Sequence, residues 1–344
     1  MNARIIREDS FSKTMTLTVE PWLKKRRTIL WARRKSGQGI CCERYLADAP
    51  RGVILISHGF TDSVAKYTEA IWYFLQEGYH VYIPEHCGHG HSYRLTDDLS
   101  LVHIDNYERY LEDFLAVAHM VQKDISSHPA VAPRAGNSRG SRKISVYAHS
   151  MGGGIAAAAA ARDPALFREI ILSAPMIRPL TGPVPYHLAG TVTAVQCSLG
   201  KQADYVSGQH PYTGPEDFTT SAAVSRPRFD YYQAIKAAHP LFQTSAASNG
   251  WLRASMKLSR ELTTYSWKKA GLPMLMFQAE KDDFVSADAQ TAFAVLRNRK
   301  SPGSTTLQKI HGTKHEIYNS SDPVLAVYWR EIFDFLDNQR SAVF

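Results

Sequence analysis

A serine, an aspartate and a histidine of this chain stand where acyl transfer chemistry would need them: Ser150, Asp282 and His315. Ser150 lies in the stretch Ile144-Ser145-Val146-Tyr147-Ala148-His149-Ser150-Met151-Gly152-Gly153-Gly154. An apolar, β-branched run leads in, three glycines follow, and Ile155 with the alanines 156–161 supplies strong helix-forming material. Strand, sharp turn and helix in that order lift a serine hydroxyl above the end of a strand, on a backbone so tight that the positions two before and two after must be small. Here they are Ala148 and Gly152, which makes the pattern A-x-S-x-G, one methyl group away from G-x-S-x-G. The helix behind the turn presents unpaired N–H groups and a partial positive charge to the reacting centre.

A serine hydroxyl is a poor nucleophile at neutral pH and needs a base within hydrogen-bond reach. His315 is the expected base and Asp282 the acid that fixes its tautomer and stabilises its positive form. Asp283 is the rival acid and His311, directly at a strand end, the rival base. The tetrahedral oxyanion is expected between the backbone N–H groups of Phe60 and Met151, with Gly59 allowing close approach of the backbone. His58, Gly59 and His149 flank these donors and are expected on the substrate's reacting end, His58 by shaping the donor loop. The cluster His86, Cys87, His89 and His91 invites a metal reading, but its spacing is not that of a zinc site and no second ligand pair accompanies it. No metal is assigned.

Apolar runs suited to buried parallel strands occupy residues 52–57, 80–84, 169–175, 273–280 and 305–310, besides the one before Ser150. A first strand is expected at 42–47, and amphipathic helices at 65–76, 106–123, 288–297 and 323–338. A Ser/Pro/Gly/Arg-rich surface loop is expected at 126–142. Alternating strands and helices predict a mostly parallel, doubly wound sheet whose ligands gather at the carboxyl ends of the strands, and the strand, sharp turn and helix around Ser150 make it read as an α/β-hydrolase fold. The alternation stops between 176 and 270, a stretch rich in Pro, Gly and aromatic residues that reads as a helical cap inserted between core strands. The core is then 41–175 and 271–344. Residues 1–40 read as an irregular, polar extension with Pro21-Trp22-Leu23 as its only packing cluster.

A length of 344 residues suits one large α/β domain carrying an insertion. The net charge of +8 is concentrated in Lys24-Lys25-Arg26-Arg27 and Arg33-Arg34-Lys35. That run reads as a solvated face, with attraction to an anionic membrane surface as the sharper alternative. No interleaving of aromatic and basic residues points to nucleic acid. Cys41, Cys42, Cys87 and Cys197 form no C-x-x-C and read as free thiols in a reducing compartment. The first twenty residues lack an apolar signal-peptide core, and no apolar run reaches the ~18 residues a spanning helix needs. A cytoplasmic protein, touching membranes at most peripherally, is expected.

Several tracts resemble the bacterial lysophospholipase and monoacylglycerol lipase group, often labelled with the serine aminopeptidase type of α/β-hydrolase. They are Ser57-His58-Gly59-Phe60, Lys66-Tyr67, Gly88-His89-Gly90-His91-Ser92, Ala148 to Gly153, Leu172 to Met176, Gln278 to Asp282 and His315-Glu316-Ile317. Arg226, Arg228-Phe229, Pro240-Leu241 and Trp251-Leu252-Arg253 resemble the lysophospholipase branch. The resemblance departs at Cys87, where the group has arginine, and barely covers the first forty residues. It implies hydrolysis of a lipid ester with one acyl chain, a monoacylglycerol or lysophospholipid, through an acyl-serine intermediate, with neither metal nor organic cofactor. Two other readings stand beside it. An aminopeptidase would need cap carboxylates for a free α-amine, and Asp204, Glu216, Asp217, Asp230 and Glu261 are available. A non-enzymatic binding module would be expected to lack one of the three catalytic side chains.

Overall fold

The apolar runs become the strands of one twisted sheet in the computed structural model, which describes residues 5–128, 131, 143–269 and 271–341. The strands are β1 (Arg27–Arg33), β2 (Gly39–Tyr45), β3 (Gly52–Ser57), β4 (Tyr79–Pro84), β5 (Leu101–Val102), β6 (Ile144–His149), β7 (Phe167–Ser173), β8 (Ala246–Ala247), β9 (Met274–Ala279) and β10 (Thr305–Ile310). Eight of them form a sheet in the order β1-β2-β4-β3-β6-β7-β9-β10, and β5 pairs with β8 in a separate parallel ribbon. β2 runs antiparallel to both its neighbours, β1 and β4, and all pairings from β4 to β10 are parallel. Strands buried on both faces explain why the sequence shows continuous apolar runs there and not alternation.

The helices are α1 (Phe11–Thr14), α2 (Glu20–Lys24), α3 (Thr68–Gln76), α4 (Glu108–Ser127), α5 (Ser150–Arg162), α6 (Tyr186–Ser198), α7 (Arg226–Ala238), α8 (Asn249–Thr264), α9 (Ala287–Lys300) and α10 (Asp322–Ser341). One face of the sheet shares an apolar core with α4, α5, α8 and α9, and the other with α3, α10 and the N-terminal helices. The long insertion after β7 carries α6, α7 and α8. Its last helix is tied to the core, since Leu258 and Leu262 lie against α5 at Gly154. The Ser/Pro/Gly/Arg-rich loop expected at 126–142 lies mostly outside the described residues.

The first forty residues differ from expectation. They are not irregular: residues 8–24 are helical throughout, and β1 adds an edge strand in register with β2 from Arg27↔Tyr45 to Arg33↔Gly39. The signal was a four-residue spacing, Phe11, Met15, Val19 and Leu23, all buried. Such a spacing drifts by about 40° per step around an α-helix. A single wide turn at Met15–Val19 takes up part of that drift and keeps the stripe facing the core.

This segment also grips the insertion. Arg228 of α7, 1% exposed, donates to the Glu69 carboxylate of α3 at 3.0 Å, to Asp322 Oδ1 at the start of α10 at 3.1 Å and to the Ile6 carbonyl at 2.7 Å. Its guanidinium lies over the Phe11 ring, and Phe11 meets Tyr231 of α7 edge to face. A buried guanidinium is tolerated because its charge and donors are matched this fully.

Candidate active site

Ser150 ends β6 and starts α5 with φ of 51°, the left-handed backbone that a sharp strand-to-helix turn demands. The glycines behind it are steric necessities. A Cβ on Gly152 would lie 2.3 Å from the Ser57 carbonyl oxygen, on Gly153 2.7 Å from Pro175 Cβ, and on Gly154 2.7 Å from the Met176 carbonyl oxygen. α5 therefore presses its first turn against the ends of two neighbouring strands, and the serine is held rigidly.

His315 reaches this point from the loop after β10. Its Nε2 lies 2.8 Å from Ser150 Oγ and its Nδ1 2.8 Å from Asp282 Oδ2. Asp282 follows β9 and accepts the N–H groups of Phe284 and Val285 on Oδ1, at 2.9 and 3.0 Å. Burial alone would raise its carboxyl group. The hydrogen bond and charge of His315, with the two backbone donors, outweigh that and hold it below the ordinary carboxylate range. The rivals point elsewhere: Asp283 is exposed, and His311 is exposed beside Glu280. Ser150 and His315 are themselves only 7% and 6% exposed.

Across from the serine, the loop after β3 presents its backbone. Gly59 N–H donates to Asp62 Oδ2 at 2.9 Å and to the Tyr67 hydroxyl at 3.1 Å. Among the described residues the Phe60 N–H has no partner, and Met151 N–H is one of the orphan donors of the first turn of α5. Both groups expected to receive the oxyanion therefore carry an N–H without a partner among the described residues.

Three histidines hold that loop. His58 Nε2 accepts the His86 N–H at 2.9 Å while Nδ1 donates to the Gly59 carbonyl at 2.8 Å. His86 Nε2 meets Ser57 Oγ at 2.9 Å, and His89 Nε2 accepts the Thr61 N–H at 3.3 Å. Two members of the cluster that invited a metal reading, His86 and His89, thus belong with His58 to a hydrogen-bonded scaffold. A different trio, Cys41, Glu85 and His91, brings donor atoms within 4.8 Å of one another, but Glu85 Oε2 already accepts the His91 N–H at 2.6 Å.

Two expectations are corrected here. His58 has both ring nitrogens spent within the protein and none left for substrate. His149, 2% exposed, bonds the Ser173 carbonyl and packs beneath the Gly59 backbone and beside His315, behind the reacting centre. At Gly59 a Cβ would lie 2.7 Å from Asp62 Oδ2 and 2.9 Å from the His149 ring, so the packing of the loop itself requires glycine there.

Burial keeps His58, His86 and His89 neutral in the folded chain, and burial together with the charge of His315 brings His149 down to about 3. An unfolded chain takes up these protons first, near the ordinary value of 6.5. The stabilisation is therefore complete above that pH and lost as pH falls below it. Urea midpoints are expected to decline as pH falls from 6.5 to about 5.5, an interval above most ordinary carboxylate titration. A flat profile over that interval would contradict the neutral scaffold.

The fold and this contact chain define an α/β-hydrolase with a nucleophile elbow. More narrowly, the chain belongs to the family described as serine aminopeptidase, S33, whose model matches residues 48–322. Among curated relatives, a monoacylglycerol lipase from Mycolicibacterium smegmatis is 27% identical over 280 residues, covering 81% of this chain and 86% of that one. Lysophospholipase L2 from Escherichia coli is 25% identical over 301 residues, covering 87% and 84%. A solved carboxyl esterase from Bacillus coagulans superposes with a TM-score of 0.70 at 17% identity, covering 92% and 99%. A monoglyceride lipase from Saccharomyces cerevisiae gives 0.65 at 15%, covering 91% and 96%. At those identities the solved structures establish the fold.

Proposed function

We propose that this chain is a serine carboxylic-ester hydrolase that removes the acyl chain of a monoacylglycerol or lysophospholipid. The observation that carries the reading is the unbroken contact from Ser150 Oγ through His315 to Asp282, set against two free backbone donors. Ser150 Oγ attacks the ester carbonyl as His315 Nε2 takes its proton, and the N–H groups of Phe60 and Met151 receive the oxyanion. Collapse breaks the C–O bond, and the imidazolium returns the proton to the leaving alcohol. Water, deprotonated by the same imidazole, then releases the fatty acid and restores the serine. Asp282 stays ionised throughout. We take residues 176–270 as the cap over this centre, with α8 as its anchor.

The relatives named as lipases and lysophospholipases support the lipid ester. The aminopeptidase reading, which the family's description raises, loses its amine site: Glu216 pairs with Lys236, Asp230 with Arg226, Glu261 with Arg162, and Asp217 caps the Thr219 N–H. Of the five cap carboxylates weighed for that role only Asp204 is uncommitted. The deciding assay sets monoacylglycerols, lysophospholipids and p-nitrophenyl esters beside aminoacyl p-nitroanilides. Turnover of the anilides alone would overturn the ester reading.

Contact with a lipid surface falls to the cap rather than to the basic N-terminal run. There Arg26 pairs with Asp48, Arg27 with Glu43, and Arg34 with Glu112 and Asp113. In α6, by contrast, Leu188, Val192 and Val195 share one exposed face that Leu199 extends, between 47% and 67% exposed. Leu180 and Phe284 are exposed as well, joined by a backbone hydrogen bond, and the Phe284 ring lies 5.0 Å from that of His315. Among the described residues no helix is long and apolar enough to cross a membrane. Changing Val192 and Leu199 to serine is expected to lower co-sedimentation with lipid vesicles about tenfold, in proportion to the apolar area withdrawn. Hydrolysis of a soluble short-chain ester should stay at the wild-type rate. Vesicle binding that survives this change but vanishes in high salt would point back to the basic run.

A further inference from the structure

One buried cation has no part in the chemistry just described. Lys66, in the turn that leads into α3, has a side chain only 10% exposed. Its ammonium bonds Asp62 Oδ1 at 2.8 Å on one side and Glu316 Oε1 on the other, and lies 5.0 Å from the Tyr232 ring of α7. Each partner controls a different piece of the site. Asp62 turns its second oxygen to the Gly59 N–H and the Tyr67 hydroxyl, at 2.9 and 2.8 Å, and so sets the loop that carries Phe60. Glu316 directly follows His315, takes the Asn319 amide on Oε2 at 2.7 Å, and receives no other cation among the described residues. The same short loop holds the cap, because the Asn319 carbonyl accepts the N–H groups of Val224 and Ser225 and the Ala222 carbonyl accepts the Glu316 N–H.

We propose that Lys66 is a positioning residue: by bridging Asp62 and Glu316 it fixes the separation between the oxyanion-donor loop and the loop that carries the base. It touches neither Ser150 nor His315. Nothing else among the described hydrogen bonds joins these two loops through side chains so directly, and they come from opposite ends of the chain, 250 residues apart. A charge at the hub suits this task. A buried ammonium with two carboxylates tolerates little displacement before one of three charges is left unpaired in a poorly solvating interior. The consequence is a rigid spacing between groups that must act on one carbonyl within a fraction of an ångström. The inference rests on the reading of Ser150 as the nucleophile.

The test uses the full chain and a fluorophosphonate, which reports serine activation and oxyanion stabilisation without any choice of natural substrate. Lys66→Met keeps the bulk of the stem and removes the charge. Lys66→Arg keeps the charge. Glu316→Gln removes one arm while leaving an oxygen for Asn319. The maximal labelling rate at Ser150 is expected to fall about a hundredfold in Lys66→Met, the scale of a catalytic group misplaced by an ångström. The probe concentration for half-maximal rate should move by less than threefold. Lys66→Arg should recover most of the rate, and Glu316→Gln should fall between. A purely structural role would instead show as lost thermal stability with an unmoved labelling rate in the folded fraction. Should Lys66→Met prove unable to fold, Glu316→Gln carries the test by the same split between rate and affinity. Wild-type labelling with no slowing in the folded variants overturns this inference and leaves the functional reading intact. No labelling of the wild type at Ser150 removes both.

Discussion

Ser150→Ala is expected to lower ester turnover by about 10⁶-fold, the scale seen when a triad serine is removed from other hydrolases, and to leave the fold unchanged. The second half of that statement follows from the local backbone. Ser150 already holds a Cβ at φ of 51°, so alanine adds no strain that serine did not have. The tightness that fixes the turn comes from Gly152, Gly153 and Gly154 against Ser57, Pro175 and Met176, and none of those contacts involves the hydroxyl. What disappears is the hydroxyl that donates to His315 Nε2 and, with it, the atom placed to attack. A residual rate above water should persist, because the Phe60 and Met151 donors remain. Initial rates on a soluble ester, fluorophosphonate labelling and thermal unfolding check the three parts separately. A variant with near-normal turnover would end the assignment of the nucleophile.

Asp282→Asn is expected to cost about 10⁴ in kcat with little change in KM, and the reason lies in which way the amide must face. Oδ1 of Asp282 accepts two backbone N–H groups, from Phe284 and Val285. An asparagine keeps those bonds only by placing its oxygen there, which turns its NH2 toward His315 Nδ1. That nitrogen must then be unprotonated, so the imidazole proton moves to Nε2 and faces Ser150 Oγ as a donor. The base is held in the wrong tautomer with its geometry intact. Single-turnover acylation of a p-nitrophenyl ester measures the loss. A decrease smaller than tenfold would mean that Asp282 does not set the tautomer.

The proposed triad was legible because each member follows an apolar run at the end of a buried strand, and because only one spacing in the chain has a lone serine between small residues and a poly-alanine helix. The choice between Asp282 and Asp283 followed distance from the strand end, and the structure adds a cause: the N–H groups of Phe284 and Val285 fold back onto Asp282. The bridge through Lys66 was not legible in the same way. The Asp62 and Lys66 pair stands at helical spacing, but the partner that gives it meaning lies 250 residues further on. His86, Cys87, His89 and His91 were visible as a cluster, but the link from His86 and His89 to His58 across the donor loop was not. Residue type alone does not distinguish a ring nitrogen that binds a ligand from one that accepts a neighbour's N–H. The N-terminal stripe was present in the letters and hidden by the serine and threonines between its members, which read as polar, irregular chain.

That stripe has a practical corollary. The recognisable family region begins at residue 48, yet the first twenty-odd described positions supply side chains to the interior and a carbonyl to Arg228. A polypeptide trimmed to the matched boundary would bare a greasy trough along α3, α7 and α10 and leave Arg228 short of an acceptor. The portion that evolution makes easy to identify is thus smaller than the portion that must be synthesised together for the cap to sit still.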